Sequence, residues 1–398
     1  MIFQKVLKQK YSLFAALIQP LKIFLIFKFI PFEQSGEFGW LFAIISIFAG
    51  FSHLGWGDSF AKSLIDGEGH ERIAQHSITI LNIFFIGIFL LLPFLLFQDY
   101  SLSLTITVLG SYFLLSIFRN NLKIIRSWGL TNDFFAFVFL RNLMDLIILT
   151  FIYYSFSKIN IKIIFGVELI TCFLFAAYLF RTSAIRRVIP TFDFKQIRKE
   201  LITFYKFPLF LLINSLLSLV LLNIEKIVGK GVMFENQYNS FILLSTFINI
   251  AYSVLALLQN LYYKELLRSK IDAGRSIKKL SKQLLLILSF SAIPVFFVLD
   301  KLLTNFYSSY TYNTLDLLFI IIISSVIILN VFEMAVYYGK NNKQLAVMKT
   351  SYIVASLVLF AIFALFKIKL SLTEILIIIL ISKLLYFFGC LRLFNKAL

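Results

Sequence analysis

Long apolar runs alternate with short polar stretches along the whole chain, and each run has the length of a membrane span. A bilayer core takes about 20 apolar residues as a helix and admits no unpaired backbone, so each run predicts one transmembrane helix. Twelve follow, approximately at 12–30, 38–55, 77–97, 102–118, 134–154 and 161–180, then 204–224, 238–262, 284–299, 315–338, 350–366 and 372–390. The first run follows Lys5, Lys8 and Lys10 and continues to Ile30 without a small-x-small cleavage pattern, so it reads as a retained helix rather than a secretory signal. The pattern also repeats at an offset of about 200 residues. Glu37-Phe38 opens a span ending near Lys62, followed by Ile65-Asp66-Gly67; Gln237-Tyr238 opens one ending near Lys264, followed by Ile271-Asp272-Ala273-Gly274. Both copies run in the same direction. The expectation is an all-α polytopic membrane protein of about twelve transmembrane helices in two six-helix lobes, 1–180 and 204–398, related by pseudo-twofold symmetry and joined by a basic cytoplasmic linker at 181–203.

Composition agrees with a lipid solvent. Of 398 residues, 60% are hydrophobic and 15% charged, with 48 Phe and a mean hydropathy of +0.89; soluble, disordered and collagen-like classes are excluded. A net charge of +18 would suggest nucleic acid in a soluble protein, but in a membrane protein it reports topology. With the N-terminus inside, 27 of the 38 Lys and Arg fall in cytoplasmic segments, 7 in outer segments and 4 within spans. That bias puts both termini in the cytoplasm. The basic segment KELLRSKIDAGRSIKKLSKQ from Lys264 reads as positive-inside anchors, with an interfacial amphipathic helix as the alternative.

Sites for metals or catalysis are not expected. Cys172 and Cys390 lie in apolar runs, and His53, His70 and His76 have no partners at ligand spacing. Asp58, Asp66, Glu68 and Glu71 form a solvated loop beside His70 and Arg72. No phosphate-binding glycine loop or nucleophile elbow occurs, so neither an enzyme nor a cofactor is indicated.

Charges at membrane depth carry the functional argument, because each costs at least about 2.5 to 3.5 kcal/mol to insert and must face protein or water. Five stand out: Lys22, Arg141, Asp145, Glu333 and Lys383. Lys22 is ten residues into the first span, about 15 Å deep. Arg141 and Asp145 share one face at i and i+4 and are either a self-neutralising pair or part of a site. Lys22 and Lys383 lack an in-helix carboxylate. They point to a functional cavity, with pairing to Asp145 or Glu333 across the bundle as the alternative, and three cations against two anions predict a net positive interior. Arg119, Lys123 and Arg126 form one stripe at the cytoplasmic end of the fourth span, either headgroup anchors or a phosphate funnel. Ser245, Asn249, Ser253 and Asn260 form a polar stripe on the eighth span that lines a cavity or makes interhelical hydrogen bonds.

Two segments carry a family resemblance. One is GEFGWLFAIISIFAGFSHLGWGDSFAKSL from Gly36; the other is FYKFPLFLLINSLLSLVLLNIEKIVGKGVMFENQYNSFILLSTF from Phe204, with Pro208 near the helix start, the pair Glu225-Lys226, then Gly229, and Tyr238 opening the next span. With these the chain resembles the Wzx-type O-antigen and polysaccharide flippases of the multidrug/oligosaccharidyl-lipid/polysaccharide (MOP) exporter superfamily. It departs from them in Glu225, where Asp is commoner, and in Pro20 of the first span. The resemblance implies two lobes around a cationic central cavity with alternating access. It also implies translocation of an undecaprenyl-pyrophosphate-linked oligosaccharide to the outer leaflet for polysaccharide assembly, with membrane lipids, a polysaccharide polymerase and a chain-length regulator as partners. Lys22, Arg141, Lys383, Arg119 and Lys123 would bind the pyrophosphate; Asp145 and Glu333 would couple transport to protons; Pro208, Glu225 and Lys226 would serve structure and gating. A membrane polymerase or glycosyltransferase, which needs larger outer loops, and a multidrug exporter, which needs an acidic aromatic cavity, are the competing readings.

Overall fold

The structure, a computed structural model, describes residues 11–51, 100–127, 131–157, 159–181, 209–268, 270–338 and 341–397. Nearly all of them are helical. In chain order the helices are α1 Ser12–Phe29, α2 Phe32–Phe51, α3 Leu102–Ser127, α4 Thr131–Phe156, α5 Ile161–Arg181, α6 Leu209–Val232, α7 Glu235–Arg268, α8 Lys270–Phe306, α9 Thr314–Leu329, α10 Phe332–Tyr338, α11 Asn342–Leu365 and α12 Leu372–Ala397. Eight segments among the described residues are long and apolar enough to cross a membrane, on α3, α4, α5, α7, α8, the α9–α10 pair, α11 and α12. Helices α1, α2 and α6 fall where the first, second and seventh spans are expected. The third expected span, Pro208 and almost all of the 181–203 linker lie outside the described residues.

The helices outrun the apolar runs that predict them. α6 continues eight residues past Ile224, and α11 begins eight residues before Thr350, because amphipathic helix continues where apolar composition stops. The segment after Lys264 is not a separate interfacial helix: α7 runs to Arg268 and α8 starts at Lys270, so both spans extend beyond their apolar windows. At 37 residues α8 is about 55 Å long. The tenth span is broken, with α9 stopping at Leu329 and α10 starting at Phe332. Helix α9 opens on a capping box in which Asn313 Oδ1 accepts from Asp316 N and Asp316 Oδ2 accepts from Asn313 N.

The chain forms two compact units: 9–15 with 42–219, and 1–8, 16–41 and 220–398. In the first unit α3 packs along α5, with α4 against both. Phe118, Leu122 and Leu179 are buried there beneath Phe134, Phe137, Val138 and Phe175. In the second unit α9 sits between α7, α8 and α12, and α10 and α11 pack on α12. Its centre holds Leu317, Ile323, Val331, Ile375 and Leu376, all at or near zero exposure. On the other side of the balance, many large apolar side chains point outward, Phe151, Tyr154, Phe290 and Leu365 at 70–80% exposure among them, as lipid-facing residues should.

Candidate functional site

Among the described residues, three buried charge clusters and one polar clasp emerge. The first unit holds one cluster. Arg141 on α4 donates from Nη2 to Glu168 Oε1 on α5 at 2.6 Å and to Asp145 Oδ2 one turn along its own helix at 3.3 Å. Thr171 Oγ1 donates to the other Asp145 oxygen. The guanidinium stands 5.3 Å from the Phe118 ring centroid, and the half-buried Arg119 lies within the field of Arg141 and Glu168. Arg141 is therefore bound by two carboxylates, not one. Glu168 was not among the expected site residues, although a lone carboxylate in the run GVELITCF is its sequence signal. Lys123 lies on the same helix as Arg119, but its side chain is outside the described set.

The second cluster lies in the other unit. Lys383 of α12 donates to Glu225 Oε1 of α6 at 2.6 Å and to Leu221 O at 3.4 Å, and its ammonium stands 5.9 and 5.4 Å from the Tyr252 and Tyr352 ring centroids. The expected partners of Lys383, Asp145 or Glu333, are not those it has. Next to the pair, Lys226 donates to Asn249 Oδ1 at 2.9 Å, while Tyr238 donates to the Lys226 backbone carbonyl at 2.7 Å. Asn249 thus bonds across to α6, whereas Ser245 and Ser253 bond to carbonyls of their own helix; Asn260 is outside the described side chains. A cavity of about 130 Å³ opens beside Glu225, walled by Tyr352, Ser356 and Ser382. Lys226 was read as an outer-loop residue and is instead buried, since α6 carries it inside the bundle.

The third cluster sits at the break between α9 and α10. Lys349 of α11, with no exposed surface, bonds to Glu333 Oε1 at 2.7 Å, and Asn330 Nδ2 donates to Glu333 Oε2 at 3.1 Å. Lys349 lies one residue before the apolar run expected as the eleventh span, so its charge falls outside that window in the sequence. Lys22, in the second unit, is 4% exposed and enclosed by α1 and its neighbours. These placements correct the expected net positive interior: Glu168 and Glu225 join the buried anions, and most of the interior cations face a carboxylate.

At the end of the second unit opposite the basic start of α8, aromatic hydroxyls tie α1 and α2 to the segment before α9. Tyr307 donates to Phe24 O at 2.7 Å, Tyr310 shares a 2.7 Å hydrogen bond with Ser35 Oγ, and Lys28 donates to Phe306 O at 3.0 Å. Burial pushes the Tyr310 phenol up to about 12, against the hydrogen bond to Ser35, and raises Tyr307 as well. Close helix approach accompanies the clasp, because a Cβ on Gly36 would overlap Asn239 and Tyr238, and one on Gly39 would overlap Ile242. The two halves of the sequence repeat, Glu37-Phe38 and Gln237-Tyr238, thus start side by side.

No family model matches the chain, and no curated protein matches it. Solved structures do. An outward-facing multidrug resistance MATE transporter of the MOP superfamily superposes with a TM-score of 0.67 at 15% identity, covering 98% of this chain and 96% of that one. This is the fold of the MOP-superfamily transporters. An inward-facing MATE transporter gives 0.65 at 15% identity, with 96% of each chain covered. A MOP-superfamily transporter from Pyrococcus furiosus, in which a binding pocket of reversed polarity suggests a different function, gives 0.65 at 14% identity over 98% of this chain and 95% of that one. The all-α, twelve-helix, two-lobe architecture expected from the apolar runs is the architecture of this fold. At these identities the likeness fixes the backbone and leaves the chemistry to the side chains.

Proposed function

We propose that the chain is a flippase, not an enzyme, that moves an undecaprenyl-pyrophosphate-linked oligosaccharide from the inner to the outer leaflet by alternating access. The observation that carries this is the cluster on α6 and α12. Lys383 and Lys226 place two ammonium groups beside the single carboxylate of Glu225, all three less than 10% exposed. Such a cluster is one positive charge in excess, and a pyrophosphate offers charge-assisted hydrogen bonds to both lysines that water gives up on entry. An organic cation meets repulsion there. The polyprenyl tail stays in lipid throughout. Arg141, Arg119 and Lys22 are further anion contacts on this reading, and Asp145 and Glu333 exchange the coupling protons. Membrane lipids, a polysaccharide polymerase and a chain-length regulator of the bacterial inner membrane are the proposed partners.

The fold itself favours a second reading, export of small cationic drugs, since the similar solved structures include multidrug transporters. One experiment separates the two. Purified protein is reconstituted in liposomes with a fluorescent polyprenyl-pyrophosphate oligosaccharide, and in parallel with a cationic dye. Protein-dependent arrival of the lipid in the opposite leaflet, reduced at least tenfold by K226Q and K383Q with dye movement absent, is the expected result. Dye movement without lipid flipping establishes the second reading, and flipping unaltered by both substitutions discards the site.

A further inference from the structure

A cavity opens at the basic end of α8, next to the break between α9 and α10. It measures about 430 Å³ and takes Lys278, Lys279 and Lys282 from α8, Phe332 from the start of α10, and Phe394 and Asn395 from the end of α12. Phe332 and Phe394 are buried and form its floor, and Lys278 Nζ stands 6.0 Å from the Phe394 ring centroid. All three lysines are exposed, and no carboxylate is among the lining residues. Three cations around an apolar floor are suited to a phosphate.

What lies further along the helix identifies the rest of the ligand. Lys278, Lys282, Leu286 and Phe290 are spaced four residues apart and so form one stripe. Leu286 and Phe290 are 60% and 80% exposed, and the stripe continues through Ile293 at 68% and Phe297 at 60%. A charged mouth therefore opens onto a lipid-facing track about four turns long. We infer that this cavity binds the phosphate headgroup of an anionic membrane lipid, with an acyl chain lying along Leu286, Phe290 and Phe297. Basic pockets between transmembrane helices on the cytoplasmic side take such headgroups, and the charge bias of the chain assigns this end to the cytoplasm. The site does not depend on which cargo the protein carries.

The test uses the whole chain purified in detergent. Binding is measured by native mass spectrometry and thermal shift with phosphatidylglycerol, with phosphatidylcholine, and with inorganic phosphate alone. Phosphatidylglycerol binds and raises the melting temperature, whereas phosphatidylcholine does not. The combined K278Q, K279Q and K282Q variant binds phosphatidylglycerol about a hundredfold more weakly, given that each lysine near an anionic headgroup contributes a few-fold. L286S with F290S, at exposed positions, weakens the lipid and leaves inorganic phosphate unaffected, and K301Q at the far end of α8 changes neither. Equal binding of phosphatidylglycerol by the wild type and the lysine variant overturns the site. A shift that inorganic phosphate reproduces in full, with L286S and F290S without effect, overturns the lipid and leaves a free-phosphate site.

Discussion

Lys383 is tolerable in α12 because Glu225 answers it from α6. Removing one member of a buried pair leaves the other charged and desolvated, which costs about 3–5 kcal/mol, whereas removing both is close to neutral. K383M and E225Q alone are therefore expected to lower the melting temperature sharply, and the double substitution to lie above either single one; a thermal double-mutant cycle in detergent reads the coupling directly. Two additive losses would show that the pair contributes nothing as a pair. The Thr171 hydroxyl plays a smaller part. T171V withdraws one donor from the Asp145 carboxylate and is expected to cost about 1.5–3 kcal/mol in the same assay, the range for a hydrogen bond to a charged group. At this scale the sequence was informative where a charge stood deep inside an apolar run: Arg141, Asp145 and Lys383 were legible as intramembrane residues. The Arg141–Asp145 pair was legible too, from its i and i+4 spacing, but the partners on other helices were not, because Glu225 and Glu168 reach Lys383 and Arg141 across 158 and 27 residues of chain. Lys226 and Lys349 were misplaced for a different reason: helix propensity extends past the apolar window that marks a span, so a run of hydropathy ends earlier than the helix it belongs to.

At the scale of helices, the contact of α1 and α2 with α7 and the segment before α9 rests on small residues and phenols. The overlap at Gly39 falls on Ile242, a β-branched side chain with little rotamer freedom, and that at Gly389 falls on the thioether of Met348, which can swing aside. G39A is thus expected to cost about 1–3 kcal/mol and G389A to stay within about 0.5 kcal/mol, judged by melting temperature. The phenols add a pH dependence with a fixed sign. The Tyr310 phenol titrates near 12 in the folded protein and near 10 unfolded, so the folded state holds its proton more tightly. Its contribution is fully present below about pH 10 and is lost as pH rises through about 12. Melting temperatures of the wild type should fall across that window, and Y310F should flatten the fall; an unchanged alkaline slope in Y310F would show that Tyr310 does not clasp the helices. None of this was readable in the sequence beyond the matched starts Glu37-Phe38 and Gln237-Tyr238, since a repeat marks equivalent places without saying that they touch.

For the whole molecule the decisive quantity is orientation, which is a prediction from the charge bias alone. The buried placement of Lys226 and Lys349 tests that inference, because both had been counted in loops. Lys226 leaves the outer count and Lys349 the inner one, so the asymmetry survives the correction. The predicted orientation then rests on lysines and arginines that remain at helix ends, where the cost of translocating them would hold the chain. The prediction can be read in intact cells, since Cys172 and Cys390 have no exposed surface and stay silent to a membrane-impermeant maleimide. S309C, exposed in the segment between α8 and α9, is expected to label from outside. K279C, at the mouth of the basic cavity, is expected to label only after permeabilisation. The reverse pattern would invert the chain in the membrane, turn the lysine cavity toward the outer leaflet and reverse the direction of flipping, because the proposed cargo is made on the side where its charged headgroup must enter.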